Sequence, residues 1–298
     1  MIGISDHSYL LSQVASHLDL ETTRGELKYR SKELSEWLEI GASIETVRLN
    51  TGRYDPSFRM CSQAREYAAE RSEFLSEWVK RFSVFNFVWG GLEIATKIVV
   101  PDSWEASLST SDRAASYLAD EFGIRSPVYL YREVLGKLRS SVRVLWKTSS
   151  RFVSFDDPER RRPEYNRFKS IYEEFGRYGL AELSGLGVRI VKCLRNQLAH
   201  GDTSVPKLSD YRSGEEKLQE LEDERRQTID LCTRILLLSV QMMLLSGTED
   251  GSDSRVKLWT RQGTREMRLR KALTSVHIGP GESSSERHLF PLEILDAT

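Results

Sequence analysis

Residues 180–202 read LAELSGLGVRIVKCLRNQLAHGD, and the fold follows from how this stretch is taken. Leu186, Val188, Val191, Leu194 and Leu198 recur near the helical period, so the spacing predicts one helix over 180–200. Gly201 follows at once and suits a helix C-cap, because it tolerates a left-handed backbone. A loop over 203–214 then leads into a second helix, 215–245, acidic at its front and apolar at its back. Its most apolar run, ILLLSVQMMLL (235–245), is too short to cross a bilayer, which takes about 20 residues. Two apolar helices joined by one loop belong in the core of a helical bundle.

The same period extends towards the N-terminus. Ser5 and Asp6 are candidate caps of a helix to about residue 20, with Leu10, Val14 and Leu18 on one stripe. Residues 24–40 place Leu27, Leu34, Trp37 and Leu38 near one face and end at Gly41, and NTGRYDP (50–56) reads as a loop. A long helix is expected over 57–100. Its second half, SVFNFVWGGLEIATKIVV, is apolar nearly all round and therefore buried, with Gly90 and Gly91 permitting a kink or a close helix contact and Pro101 ending it. Two more helices are expected over 112–122 and 127–146, a loop over 147–163 that contains DDPERRRP, and a helix over 164–177.

The chain changes character at its end. SRVKLWT (254–260) and REMRLRKAL (265–273) alternate around a short turn and read as a β-hairpin, although the second equally suits a helical turn. GPGESSS (279–285) reads as flexible and HLFPLEI (288–294) as a last short strand. The expected fold is mostly α, with an N-terminal helical segment (1–56), a helical bundle (57–247) and a basic β-containing tail (248–298).

Composition excludes several classes of function. The 298 residues hold 43 Lys and Arg against 44 Asp and Glu, a net charge of -1, so any nucleic-acid surface must be local rather than global. Cys61, Cys193 and Cys232 are sparse and lack metal-ligand spacing, which suits a reducing cytoplasm. The opening MIGISDHSYLLSQ lacks the basic and apolar regions of a signal peptide. A soluble cytoplasmic protein without a membrane span is the expectation. No P-loop, dinucleotide fingerprint or CxxC occurs, and Gly185 and Gly187 stand without the rest of a nucleotide motif.

Chemistry concentrates at CLRNQLAHGD (193–202). Asn196 and His200 are four apart and share a helix face, with Arg195 on the neighbouring one. This Arg–Asn–x3–His pattern, on an apolar helix ending at Gly201 and followed by a long helix, resembles the HEPN superfamily. The resemblance covers about residues 82–247, and the apolar helix with Phe85, Trp89, Leu92 and Glu93 is similar to a first core helix of that superfamily. It implies an up-and-down helical bundle that dimerises across the motif helix. It further implies a metal-independent endoribonuclease of a defence or toxin-type system, without a cofactor and restrained by an antitoxin or sensor protein. Asp202 departs from the subgroup that carries Tyr two positions after His, so the nucleotidyltransferase partner of that subgroup is not implied.

Residue chemistry agrees with that implication. Cleaving RNA without a metal needs a base for the ribose 2′-hydroxyl and donors for the charged phosphorane. His200 titrates near neutrality and suits the first task, Arg195 suits the second, and Asn196 is placed to orient either. Two copies across a two-fold axis would supply both an acid and a base. The plain alternatives are a His200 that bonds a last-turn carbonyl and an Arg195 that pairs with Glu93, the supporting carboxylate on the apolar helix. For RNA binding the candidates are Arg255, Lys257, Arg261, Arg265, Arg268, Arg270 and Lys271, opposed by Glu266 alone, with Trp259 among them. The cluster Arg160–Arg162 with Tyr165, Arg167 and Lys169 offers phosphate grips beside a stacking aromatic or, more plainly, a solvated loop balanced by Asp156, Asp157 and Glu159, and residues 215–224 read as a solvated acidic helix face. The rival functional reading is a non-catalytic HEPN-like scaffold that binds a nucleotide or another protein with the same residues.

Overall fold

The computed structural model describes residues 1–18, 25–53, 61–128, 130–153, 158–199, 216–248, 254–260 and 263–278. The protein is mostly helical, with one small antiparallel sheet near its C-terminus. In chain order the helices are α1 (Ile4–Ser16), α2 (Gly25–Ser43), α3 (Ser62–Val99), α4 (Thr110–Phe122), α5 (Tyr131–Val153), α6 (Pro158–Arg177), α7 (Leu183–Ala199) and α8 (Glu216–Ser246). Strands β1 (Arg255–Thr260) and β2 (Gly263–Arg268) follow, and α9 (Leu269–Ser275) comes after them. A 3-10 turn, Leu180–Glu182, leads into α7.

Helix α8 is the hub, because its apolar half packs against α1, α3, α4, α5, α7 and α9. Its Glu222–Ser246 portion is long and apolar enough to cross a bilayer, but 89% of the tested window is buried inside the protein. Helices α1, α2 and α3 form one flank, α5 and α6 another, and α4 with α7 a third. A single apolar cluster runs through all of them, from Leu10 to Val276. Burial on that scale is the main favourable term in such a fold.

Two glycine positions set helix spacing. A Cβ on Gly90 would lie 2.5 Å from the Trp37 ring, so the pair Gly90 and Gly91 permits a close approach of α2 to α3 within a continuous helix. A Cβ on Gly185 would collide with the Ala115 carbonyl oxygen, which brings α7 hard against α4. The glycine pair of residues 185–187 thus serves packing.

Several boundaries differ from those the sequence suggests. Gly3, with no side-chain bond, precedes α1 in place of Ser5 or Asp6, because residues 5 and 6 already lie within the helix. Helix α2 runs through Gly41 to Ser43, where Gly41 packs against Phe87 instead of ending the helix. The loop expected over 147–163 is largely helix, since α5 continues to Val153 and α6 begins at Pro158, a residue tolerated in a first helical turn. In the tail, 265–273 is strand up to Arg268 and helix from Leu269. The loop 203–214, the segment 279–285 and the strand at 288–294 lie outside the described residues.

A buried polar cluster ties the N-terminal helix and the tail to α8. Arg234 Nη1 donates to His7 Nδ1 at 2.9 Å, and Arg234 Nη2 donates to the Ile2 carbonyl at 2.7 Å. Because arginine can only donate, His7 Nδ1 must accept, so His7 Nε2–H donates to Gln241 Oε1 at 2.9 Å. The Gln241 amide then donates to the Leu273 carbonyl and to His277 Nδ1, 3.1 Å away. The backbone N–H of Ile2 bonds the His277 carbonyl at 3.2 Å. Helices α1, α8 and α9 are thereby joined by one hydrogen-bonded chain.

Candidate active site

The motif helix α7 forms because its apolar residues follow the helical period, and Val188, Val191 and Leu194 are buried against α4 and α8. Arg195 and Asn196 then fall on its rim, and both are half-buried. His200, the proposed base, lies outside the described residues, as does Gly201. Among the candidate catalytic groups, the structure therefore describes the charge-stabilising half.

Arg195 and Glu93 do not pair directly. The guanidinium of Arg195 lies over the Trp89 ring, 5.5 Å from its centre, and Trp89 Nε1 donates to Glu93 Oε1 at 2.8 Å. Trp89 is buried and separates the two charged groups. The indole N–H is positive at its edge and meets the carboxylate, whereas the negative ring face meets the guanidinium. Trp89 thus lies between Glu93 and Arg195 and contacts both, which corrects the simple ion pair expected from sequence. Among the described residues Arg195 makes no hydrogen bond and no ion pair. A planar guanidinium held on a ring face is suited to grip two phosphate oxygens at once.

Beneath the rim lies a cavity of about 50 Å³ between α3, α5, α6, α7 and α8. Trp78, Phe85, Leu194, Leu198 and Cys232 line it, and Gln197 adds a buried Oε1 that receives no hydrogen bond among the described residues. Burial pushes the Cys232 thiol well above its ordinary range, with Asp230 adding to the shift, so this sulfur is not a nucleophile. Gln197 escaped the sequence reading. Its place directly after Asn196 was visible, but its inward orientation depends on how α7 rotates against α8.

The front of α8 is less solvated than its acidic sequence suggests. Glu222 is buried and pairs with Arg225 of the same helix at 2.5 Å. Glu224 accepts from the Ser141 hydroxyl and so fastens α8 to α5. Both carboxylates are spent inside the protein, which corrects the reading of 215–224 as a purely solvated face.

The basic tail is a true hairpin, with Arg255 opposite Arg268, Lys257 opposite Glu266 and Trp259 opposite Thr264. Val256 and Leu258 point inward and are buried, so Arg255, Lys257 and Trp259 share the outer face. Trp259 is 56% exposed, and the Lys257 ammonium lies 5.4 Å from its ring centre. Arg255 is partly offset by Glu266 at 3.5 Å. Arg265, Arg268, Arg270 and Lys271 are exposed, and Arg261 lies outside the described residues. The Gln13 side chain bonds both the N–H and the carbonyl of Trp259, which pins the hairpin to α1.

The hairpin and the motif rim are well apart. Leu194 and Leu198 meet α8 at Ile229, whereas Gln241 of α8 meets α9 behind the hairpin. Those twelve residues of α8 span about 18 Å at 1.5 Å per residue. Among the described residues no cluster of three His, Cys, Asp or Glu side chains is placed to hold a metal ion. No protein-family model matches this chain, and neither does any curated protein or solved structure.

Proposed function

We propose that this protein is a HEPN-like, metal-independent endoribonuclease of a defence or toxin-type system, acting as a homodimer. The single observation that carries the reading is the state of Arg195. It is half-buried at the rim of an apolar motif helix, held on the Trp89 face, with no acidic partner among the described residues. A structural arginine in such a place would be expected to pair, because burying part of a charge without compensation is costly. In the proposed reaction His200 takes the 2′-hydroxyl proton, the 2′-oxygen attacks phosphorus, and Arg195 steadies the charged phosphorane. The 5′-oxygen leaves with a proton from the partner copy's imidazole, giving a 2′,3′-cyclic phosphate and a 5′-hydroxyl. Asn196 orients the scissile phosphate, and an antitoxin or sensor restrains the activity.

The test is cleavage of total RNA by purified protein, with and without a chelator, followed by end-group analysis. His200→Ala and Arg195→Ala should each lower cleavage by roughly 10²–10³-fold or more while leaving a folded dimer. Cleavage that survives both substitutions, or that stops with the chelator, would overturn the proposal. A folded protein that cuts no RNA yet holds a second protein tightly would favour the scaffold reading.

A further inference from the structure

Helix α5 carries six Lys and Arg against Glu133 alone, which makes it a strongly basic element of the fold. Its inner face is spent on the core, where Leu138, Val142 and Leu145 are buried. Its outer face carries Arg139, Arg143 and Trp146, spaced four and three apart and therefore aligned on one stripe. Helix α6 answers with Tyr165, Lys169 and Tyr172 at the same spacing. The two stripes meet. Trp146 lies 5.3 Å from Tyr172 and 6.3 Å from Tyr165 between ring centres, and the Arg139 guanidinium lies 5.7 Å from the Tyr172 centre. The result is a ladder of rings and cations about 10 Å long, given the 1.5 Å rise per residue.

Three features set this ladder apart from an ordinary solvated helix face. Neither Arg139 nor Arg143 forms an ion pair among the described residues, whereas Lys169 pairs with Glu173 at 3.8 Å. Trp146 Nε1 is buried and finds no acceptor among the described residues. All three rings are partly exposed, and Trp146 and Tyr172 pack their inner sides against the core. Leu145 and Phe168, directly behind the ladder, also line the cavity beneath Leu194 and Gln197 of the motif helix. The ladder therefore backs onto the motif end of the bundle, unlike the distant hairpin.

We infer that the α5–α6 face is a binding surface for single-stranded RNA, with bases stacking on the Tyr165–Trp146–Tyr172 rings and phosphates meeting Arg139 and Arg143. Unpaired cations fit a polyanion, and partly exposed rings fit unstacked bases, whose faces a duplex hides. The inference rests on the reading of RNA as ligand, but it does not require that Arg195 and His200 cut it.

Fluorescence anisotropy on the full-length protein tests it, with a labelled single-stranded 2′-O-methyl oligonucleotide that cannot be cleaved by 2′-oxygen attack. Arg139→Ala with Arg143→Ala should weaken binding about tenfold and lower the salt slope by about 1.4, near 0.7 for each phosphate no longer neutralised. Arg143→Glu alone, at an exposed position, should weaken binding in the same direction with unchanged thermal unfolding. Tyr165→Leu with Tyr172→Leu should cost oligoadenylate more than oligouridylate, since purines stack better. Variants that bind like the folded parent overturn this surface alone. Equal affinity for the matching duplex, for an acidic polypeptide or for anionic vesicles also overturns it. A parent protein that binds no RNA at all removes the RNA reading and this surface together.

Discussion

Arg234 of α8 and Arg195 of α7 both sit on helices with a buried apolar face, and the two are used differently. Around Arg234 the polar side chains engage one another: the guanidinium serves His7 and the Ile2 carbonyl, and Gln241 passes the chain on to Leu273 and His277. Around Arg195 the guanidinium touches only the face of Trp89 among the described residues. Residue type cannot distinguish a structural arginine from a reactive one. Burial and the set of partners can. A bonded cluster holds α1 and the tail on α8, whereas the arginine at the helix rim has no hydrogen-bonded partner among the described residues.

The sharpest way to break that contrast is to remove one member of the buried cluster. Gln241→Leu takes away the acceptor of His7 and the donor to Leu273 and His277, leaving buried groups unsatisfied. The expected loss is about 3 kcal/mol, read by urea denaturation monitored by circular dichroism. Arg234→Met should cost a similar amount, since His7 Nδ1 and the Ile2 carbonyl lose their donor and Asp230 loses one of its nearby positive charges.

A smaller effect should appear with pH. Burial holds His7 well below its ordinary value near 6.5, and the charges of Arg234 and His277 push the same way. Protonation would turn Nδ1 into a donor facing the donor Arg234. From α8 the cluster also faces Asp230, which pairs with Arg81 of α3 at 3.4 Å. Below pH 6.5 the unfolded chain binds a proton that the folded chain refuses, so stability is full above that value and falls as pH drops. The slope should be about 1.4 kcal/mol per pH unit for the one group. His7→Gln should flatten it. An equal slope in that variant would mean that another group governs the acid limb.

The smallest expected change is at the rim. Arg195→Ala should cost about 0.5–1 kcal/mol, the worth of a partly exposed cation–π contact, and should leave the melting curve nearly in place. If it destabilised the protein as much as Arg234→Met, the two arginines would play the same structural part and the contrast would fail.

Much of the architecture was legible in the chain. The apolar stripes of α1, α3, α7 and α8 name their buried faces, since 3.6-residue spacing and side-chain burial are linked directly. The hairpin was legible too, from alternation at Val256 and Leu258. The region 147–163 was not, because DDPERRRP carries turn signals and charge, whereas α5 runs on to Val153 and α6 starts at Pro158. At the site, Arg195 and Asn196 stood out by spacing, but the intervening Trp89 did not, because a tryptophan in an apolar helix looks like any other core residue. Of the ladder on α5 and α6, Tyr165 and Lys169 were legible as an aromatic beside basic residues, but Arg139, Arg143, Trp146 and Tyr172 were not. Each half looks ordinary alone, and the rings meet only when the helices pack.

What the sequence determined by itself is the helical class, the identity of the core stripes and the position of the motif on its helix, all of which depend on local spacing. Only tertiary structure decided which charges are engaged. Arg234 and Arg195 are each a cation on a helix that also carries core residues. Their fates differ because α1 and α9 close over one with His7 and His277, while at the other the fold sets the flat face of an indole and, among the described residues, no hydrogen-bond acceptor.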